Sequence, residues 1–177
     1  MSANPVDRTV NQYMAARNEA KSRAEATENH QEKARKENEF MDGKVKEAFD
    51  HIADRLEVIA SDIKAQDPSP SNQARLDRQN EFTVTLHLNS FNCTVQRKYY
   101  GPADSGTVPG IVVDLPNNKV LDFHGSMTGN TFFFTQPRQW QISQLKRVST
   151  HPGVDADAIV DNIMQNATMF AKIGRVV

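Results

Sequence analysis

The feature that most constrains this chain is a stretch without an internal proline between Pro5 and Gln66. Ala, Glu, Lys, Arg and Gln dominate it, and these are strong helix formers. Asn4 is a suitable N-cap, and proline is well tolerated at the first helical position. We therefore expect a helical arm over residues 1–66, a linker over 67–80 and a folded domain over 81–177.

Two apolar patterns divide the arm. Residues 1–39 are mostly polar, and their heptad frame, which includes Val10 and Tyr13, is interrupted by residues such as Arg17. Over residues 40–65 the apolar steps are 4, 3, 4, 3, 4, which predicts a continuous heptad seam. We expect a bend or break at Asp42-Gly43, where the two frames meet. The seam consists of Val45, Phe49, Ile52, Leu56, Ile59 and Ile63.

The sequence leaves two interpretations of this seam open. It can pack against the sheet of its own chain, or it can form a coiled coil with another chain. An unbroken helix of this length would extend about 90 Å, more than a domain of about 100 residues can cover. The polar part must therefore pair, fold back or remain partly disordered.

The first two predicted strands form a hairpin. Phe82 to Leu88 alternates apolar and polar residues, and Phe91 to Val95 continues the alternation. A two-residue turn at Asn89-Ser90 pairs Leu88 with Phe91 and keeps all the apolar side chains on one face. Before this hairpin, residues 74–80 are polar and are expected to form one more helical turn.

A second hairpin follows the Gly- and Pro-rich loop at residues 101–110. A two-residue turn at Asn117-Asn118 would place Asp114 opposite Leu121, which is a poor match. A three-residue loop over 117–119 instead pairs Leu115 with Leu121 and Val113 with Phe123, so we prefer that register.

The rest of the chain completes an α+β pattern. Residues 131–135 and 139–148 are predicted strands, and Asp155 is predicted to cap a final helix that reaches Ile173. Gly174 is a natural stop. The sequence thus predicts an antiparallel β-sheet of five or six strands, with the long arm before it and a C-terminal helix packed on the sheet.

Few residues suggest chemistry. No GxSxG, P-loop, GxGxxG or HExxH pattern occurs. Cys93 falls on the apolar face of its strand, so we expect no catalytic role for it. His87, Asp122 and His124 are candidates for a polar or metal-binding face, although a solvated sheet surface explains them as well. We expect no resident metal and no cofactor.

Two surface candidates concern macromolecular partners. Arg97, Lys98, Tyr99 and Tyr100 form a basic and aromatic run that could stack bases, but packing at a strand end explains them equally. The net charge of -1 makes nucleic acid an unfavourable partner. Phe133 must face away from its two phenylalanine neighbours and is therefore a candidate contact residue, although coverage by a loop or by the arm explains it equally.

Composition limits the remaining classes. A single cysteine excludes an internal disulfide, and no apolar run approaches the length of a membrane span. The sequence MSANPVDRTV lacks a signal-peptide core, so we expect a cytoplasmic protein. Our leading hypothesis is a non-enzymatic oligomeric adaptor or structural protein, most simply a homodimer. The alternatives are a small-ligand binder or enzyme with a concavity between sheet and helix, and a nucleic-acid-associated regulator.

Overall fold

The computed structural model describes residues 5–100, 108–129, 131–135 and 153–173. It divides into two compact units, Met1–Phe40 and Met41–Val177. The expected loop at 101–110 is wrong at its end, because residues 108–110 belong to a strand. The remainder of that loop, the strand at 139–148 and the stop at Gly174 lie outside the described residues. The elements are α1 (Pro5–Gln66), β1 (Arg75–Asn80), β2 (Thr83–Leu88), β3 (Phe91–Tyr100), β4 (Val108–Leu115), β5 (Lys119–Thr128), β6 (Thr131–Thr135) and α2 (Ala156–Ile173).

The predicted α+β class is confirmed. The six strands form one antiparallel sheet in which spatial order follows chain order, from β1 to β6. Each strand therefore pairs with its neighbours in sequence, as short connections favour. α2 and the part of α1 from Met41 onward pack on one face of this sheet.

The break that was one of two expectations at Asp42-Gly43 is wrong, because α1 continues through both residues, whereas the bend stays a prediction. A glycine in a helix interior costs about 1 kcal/mol relative to alanine. The next apolar residue, Val45, is fully buried, and burial of such a side chain contributes about 1.5–3 kcal/mol. Burial just after the glycine therefore offsets its low helix propensity.

The helical turn expected for residues 74–80 is also wrong. Residues 75–80 form β1, which lies within the expected linker and pairs with β2, so that Leu76 stands opposite Leu86. Leu76 packs against the core, whereas most of β1 is polar, as is common for an edge strand. Buried Asn72 fixes the entry to β1, because its side chain donates to the Ile63 and Asp67 carbonyls and accepts from the Ala74 N–H.

The hairpin between β2 and β3 has the predicted register. Leu88 pairs with Phe91, Leu86 with Cys93, and Val84 with Val95. Asn89 adopts a φ of 54°, a left-handed conformation that asparagine tolerates better than most residues. The two-residue turn at Asn89-Ser90 is therefore confirmed.

The predicted register of the second hairpin is wrong by two residues. Leu115 pairs with Lys119 and Val113 with Leu121. The loop has three residues, as predicted, but it begins at Pro116. Asn117 and Asn118 both have left-handed φ values, 65° and 59°, which allow this earlier turn. A shift of two residues keeps every side chain on the same face, so alternation could not distinguish the two registers.

The start of α2 follows the prediction. The Asp155 carboxylate accepts a hydrogen bond from the Ala158 N–H at 2.8 Å, the geometry of an N-cap. Ile159 and Ile163 are fully buried. Just before the cap, Val154 exchanges two backbone hydrogen bonds with Phe134, each 2.8 Å, which ties the entry of α2 to β6.

Candidate functional site

The downstream seam lies largely inside the folded unit. Val45, Ile52 and Leu56 are fully buried, and Phe49 is only 2% exposed. Their neighbours in the hydrophobic core come from the sheet and from α2. The two remaining members, Ile59 and Ile63, are partly buried. In this structure the seam therefore packs on the sheet of its own chain.

The upstream part of α1 presents its side chains to solvent. Every residue from Thr9 to Phe40 is exposed except Glu32, which is partly exposed. Val10 is 52% exposed and Tyr13 66% exposed, although both occupy heptad positions. We call residues 9–40 the upstream segment. Two large apolar side chains on the same heptad frame are thus left without cover in a single chain.

The upstream segment contains six ion pairs among its described side chains. Glu32 forms two of these pairs, with Arg35 and Lys36. The hydrogen bond from Arg35, followed by that from Lys36, lowers the pKa of the Glu32 carboxyl group. All of these pairs join residues three or four apart on one helix, and such pairs stabilise a helix only weakly. The pairs are Lys21–Glu25, Arg23–Glu19, Lys33–Glu37, Arg35–Glu32, Arg35–Glu39 and Lys36–Glu32.

The three residues proposed as a polar face are not brought together. His87 lies on β2 and bonds through its ring nitrogens to Asn92 at 2.8 Å and Asp77 at 3.0 Å. Asp122 and His124 lie on β5, three strands away from β2, which corresponds to about 14 Å. Burial lowers the pKa of His124, and the Asp122 carboxylate partly opposes this shift. Within residues 5–100, 108–129, 131–135 and 153–173, no group of three His, Cys, Asp or Glu residues could hold a metal.

The basic and aromatic run on β3 is divided by strand alternation. Tyr99 points toward α1, where its hydroxyl donates to Asp42 at 2.7 Å; this hydrogen bond is the main cause of its raised pKa. Arg97 lies over the Phe82 ring, 4.5 Å from the centroid, in a cation–π contact. The exposed Lys98 belongs to the opposite face, and the side chain of Tyr100 is outside the described part of the structure. Arg97 and Lys98 thus do not form one continuous patch.

The buried part of Arg97 has an energetic cost. Its Nε and Nη1 atoms are buried without a hydrogen-bond partner. A buried donor without a partner loses its hydration, typically at a cost of about 1–3 kcal/mol. The contact with Phe82 offsets only part of that cost. The guanidinium therefore packs over the Phe82 ring, on the sheet face opposite Lys98, and does not join Lys98 in a nucleic-acid-binding surface.

Phe133 is half-buried rather than displayed. Phe132 and Phe134 meet edge to face, with centroids 5.1 Å apart, on the side of β6 that faces the helices. Phe133 contacts Gly153 so closely that a Cβ built there would lie 2.7 Å from the Phe133 side chain. Of the two interpretations of Phe133, coverage by another segment of the same chain therefore describes the structure better than a free contact site.

A cleft lies between α1, β6 and the start of α2. Its volume is about 290 Å³, and Ala48, Phe132, Phe134 and Val154 supply an apolar lining. Lys44, Glu47 and His51 stand at its polar side. A concavity between sheet and helix was among the alternatives, and Phe133 in the lining was a candidate contact residue. The position of the cleft was not predicted, because its walls come from segments about 80 residues apart.

One contact at the mouth of the cleft is electrostatic. His51 Nε2 lies 2.9 Å from the Asp157 carboxylate, and this hydrogen bond is the main cause of the lowered pKa of Asp157. The described lining contains an imidazole and carboxylates but no serine, threonine or cysteine that could act as a nucleophile. The geometry of the described lining fits binding of a small apolar group better than covalent catalysis.

Cys93 is part of the hydrophobic core. It is 1% exposed, and burial, with a smaller effect from Asp114, raises the pKa of its thiol to about 12. The thiolate is the reactive form, so a pKa this high leaves almost none at neutral pH.

Comparison with known proteins adds no family to this description. No family model, no curated protein and no solved structure matches the chain. Among the helices of the described residues, none combines the length and the apolarity that crossing a membrane requires. The class defined here is therefore an α+β protein whose long first helix contributes one half to the core and leaves the other half exposed.

Proposed function

We propose that this chain is a non-enzymatic interaction protein that self-associates through the upstream segment, residues 9–40. The observation that carries the proposal is the exposure of Val10 and Tyr13 at heptad positions of a helix. Apolar residues at that spacing are covered by a second helix in coiled coils. The downstream seam does not serve this role in the proposal, since its largest side chains are buried in their own chain.

The polar character of the upstream segment supports the same reading. A helix that is polar on nearly all sides receives little stabilisation from its ion pairs, and helix formation has a costly nucleus. A second helix would add packing along Val10, Tyr13 and the alanines of the frame. Ala20, Ala24 and Ala34 are small, so two helices could approach closely at those positions.

The expected affinity is modest. Burying Val10 and Tyr13 in both copies gives about 1.5–3 kcal/mol for each side chain, or roughly 6–12 kcal/mol for four. Association costs an estimated 4–15 kcal/mol in lost freedom. The polar interruptions of the seam, such as Arg17, reduce the gain further. We therefore expect a reversible dimer with a dissociation constant in the micromolar range or weaker.

Sedimentation equilibrium of the full chain over a wide concentration range tests the proposal. The variant Val10→Glu with Tyr13→Glu should remain monomeric at concentrations at which the wild type dimerises. The matched control is Asn11→Glu with Asn18→Glu, which adds the same two charges to exposed positions off the seam. Circular dichroism and thermal melting check that residues 41–177 stay folded in both variants. A wild-type chain that is monomeric throughout, or equal effects of both variants, would refute the proposal.

The cleft favours a second candidate function, the binding of a small apolar ligand. Its volume of about 290 Å³ is near the lower end of the range for ligand pockets. The fluorescent probe 1-anilinonaphthalene-8-sulfonate should bind the folded protein, and Ala48→Phe should abolish binding by filling the cleft. Val58→Phe, at an exposed position of the same helix, is the control. Equal probe binding by both variants would reject this candidate.

A further inference from the structure

The upstream segment has opposite net charges in its two halves. Residues 9–23 carry three basic side chains and one acidic side chain, a net of +2, whereas residues 24–40 carry three basic and five acidic side chains, a net of -2. A parallel pair in register would place like halves together. An antiparallel pair would place each positive half beside the negative half of the other copy. Charge complementarity therefore favours a second copy in the reversed direction.

Arg17 supplies an independent argument for direction. It occupies a heptad position, between Tyr13 and Ala20 on the same frame. A parallel, in-register pair would bring the two Arg17 side chains together at the seam, and like charges at such close range repel. An antiparallel pair separates them. Antiparallel helices also place the positive end of each helix dipole beside the negative end of the other.

One alignment satisfies both arguments. When Lys21 stands beside Glu28 of the second copy, Arg17 falls opposite Ala34 of that copy, where a small side chain leaves it room. Glu28 has no ion-pair partner among the described residues, and Lys21 makes only one long contact, 3.8 Å, with Glu25. The two-fold symmetry of the pair would create the Lys21–Glu28 contact twice.

We infer that two copies of the upstream segment pair antiparallel, in the register that sets Lys21 of each copy beside Glu28 of the other. This inference rests on the proposed self-association and specifies its geometry. The partner is a second copy of this chain, recognised by its reversed charge pattern and by the alanines on the shared face. In this register Ala20 of one copy stands opposite Gln31 of the second copy.

Cysteine cross-linking of the full chain tests the direction. Ala20→Cys and Gln31→Cys are made as separate variants, mixed, equilibrated and treated with a short bis-maleimide. The wild-type chain is a suitable control, since Cys93 is 1% exposed. We expect a cross-linked dimer from the mixture and little product from either variant alone, because equivalent positions are far apart in an antiparallel pair. Efficient cross-linking of Ala20→Cys with itself would show a parallel pair and overturn the inference.

Charge exchange tests the register. Lys21→Glu should raise the dimer dissociation constant about tenfold, because each of two contacts changes from attraction to repulsion. Adding Glu28→Lys to the same chain should restore most of the affinity. Raised salt should weaken the wild-type dimer. A double variant no tighter than Lys21→Glu would overturn the register.

The outcomes separate this inference from the proposed function. A chain that stays monomeric in sedimentation defeats both. A dimer that is broken by Val10→Glu with Tyr13→Glu, but that gives no cross-link between positions 20 and 31, supports the proposed function and overturns the antiparallel geometry. A dimer that gives the cross-link and is rescued by the charge exchange supports both.

Discussion

Replacing Ile52 with alanine should lower the free energy of unfolding of residues 41–177 by about 3–4 kcal/mol. Ile52 is fully buried at the middle of the downstream seam, among core residues from the sheet and α2. The substitution leaves the backbone and its helix propensity almost intact, since alanine is the best helix former. The loss therefore reports on packing alone.

The magnitude follows from the atoms removed. The change deletes three carbon atoms, each worth about 0.8 kcal/mol when buried, for roughly 2.4 kcal/mol. The remaining cavity adds to this transfer term, because a packed core relaxes only in part. Val58→Ala is the matched control, since Val58 lies on the same helix but is 52% exposed. Its effect should stay within about 0.5 kcal/mol.

Urea denaturation followed by circular dichroism measures the difference, and light scattering reports the oligomeric state. The melting temperature of Ile52→Ala should fall by about 10 °C. The reasoning is refuted if Ile52→Ala costs no more than Val58→Ala. It is also refuted if Ile52→Ala dissociates an oligomer while the domain keeps its full stability, because the seam would then lie between chains.

Three further predictions concern single sites. Gly125→Ala should destabilise the protein by about 1–3 kcal/mol, because the new Cβ would lie 2.9 Å from the Pro109 carbonyl oxygen. Gly43→Ala should instead stabilise it by about 0.5–1 kcal/mol, because nothing lies within 4 Å of the new Cβ. Thermal melting of the two variants compares these effects. Nuclear magnetic resonance should show the pKa of His124 below its usual 6.5, and Asp122→Asn should lower it further. Since the unfolded chain takes up this proton first, His124 should make stability fall as pH drops below about 6.5, and a raised pKa would contradict this. A thiol reagent at pH 8 should label Cys93 only after denaturation, because its pKa is about 12.

The two hairpins show how far alternation determines a sheet. For β2 and β3, the turn residues Asn89-Ser90 left one register that kept all apolar side chains on the same face, and the structure has that register. For β4 and β5, registers that differ by two residues bury the same side chains. The choice depended on whether Asn117 and Asn118 both turn left-handed, which the apolar pattern does not encode.

The candidate sites were harder to predict because they depend on which strands are neighbours. Strand alternation predicts that His87 and Leu86 lie on different faces of the sheet, and it predicts the same for His124 and Phe123. It does not reveal that two strands separate β2 from β5. The cleft beside Phe134 was missed for a related reason, since the pairing of Val154 with β6 is a contact between segments distant in sequence.

The two halves of α1 share a spacing but differ in side-chain size, and size decides where each half can be buried. Downstream of residue 40, every seam position holds a large aliphatic or aromatic side chain, and the sheet and α2 cover most of them. Upstream, after Val10 and Tyr13, the frame holds alanine or polar residues that offer little area to a folded core. Substitution at Ile52 should therefore change folding, whereas substitution at Val10 and Tyr13 should change association alone. If both substitutions altered the same property, the division of α1 into a core half and an associating half would be wrong.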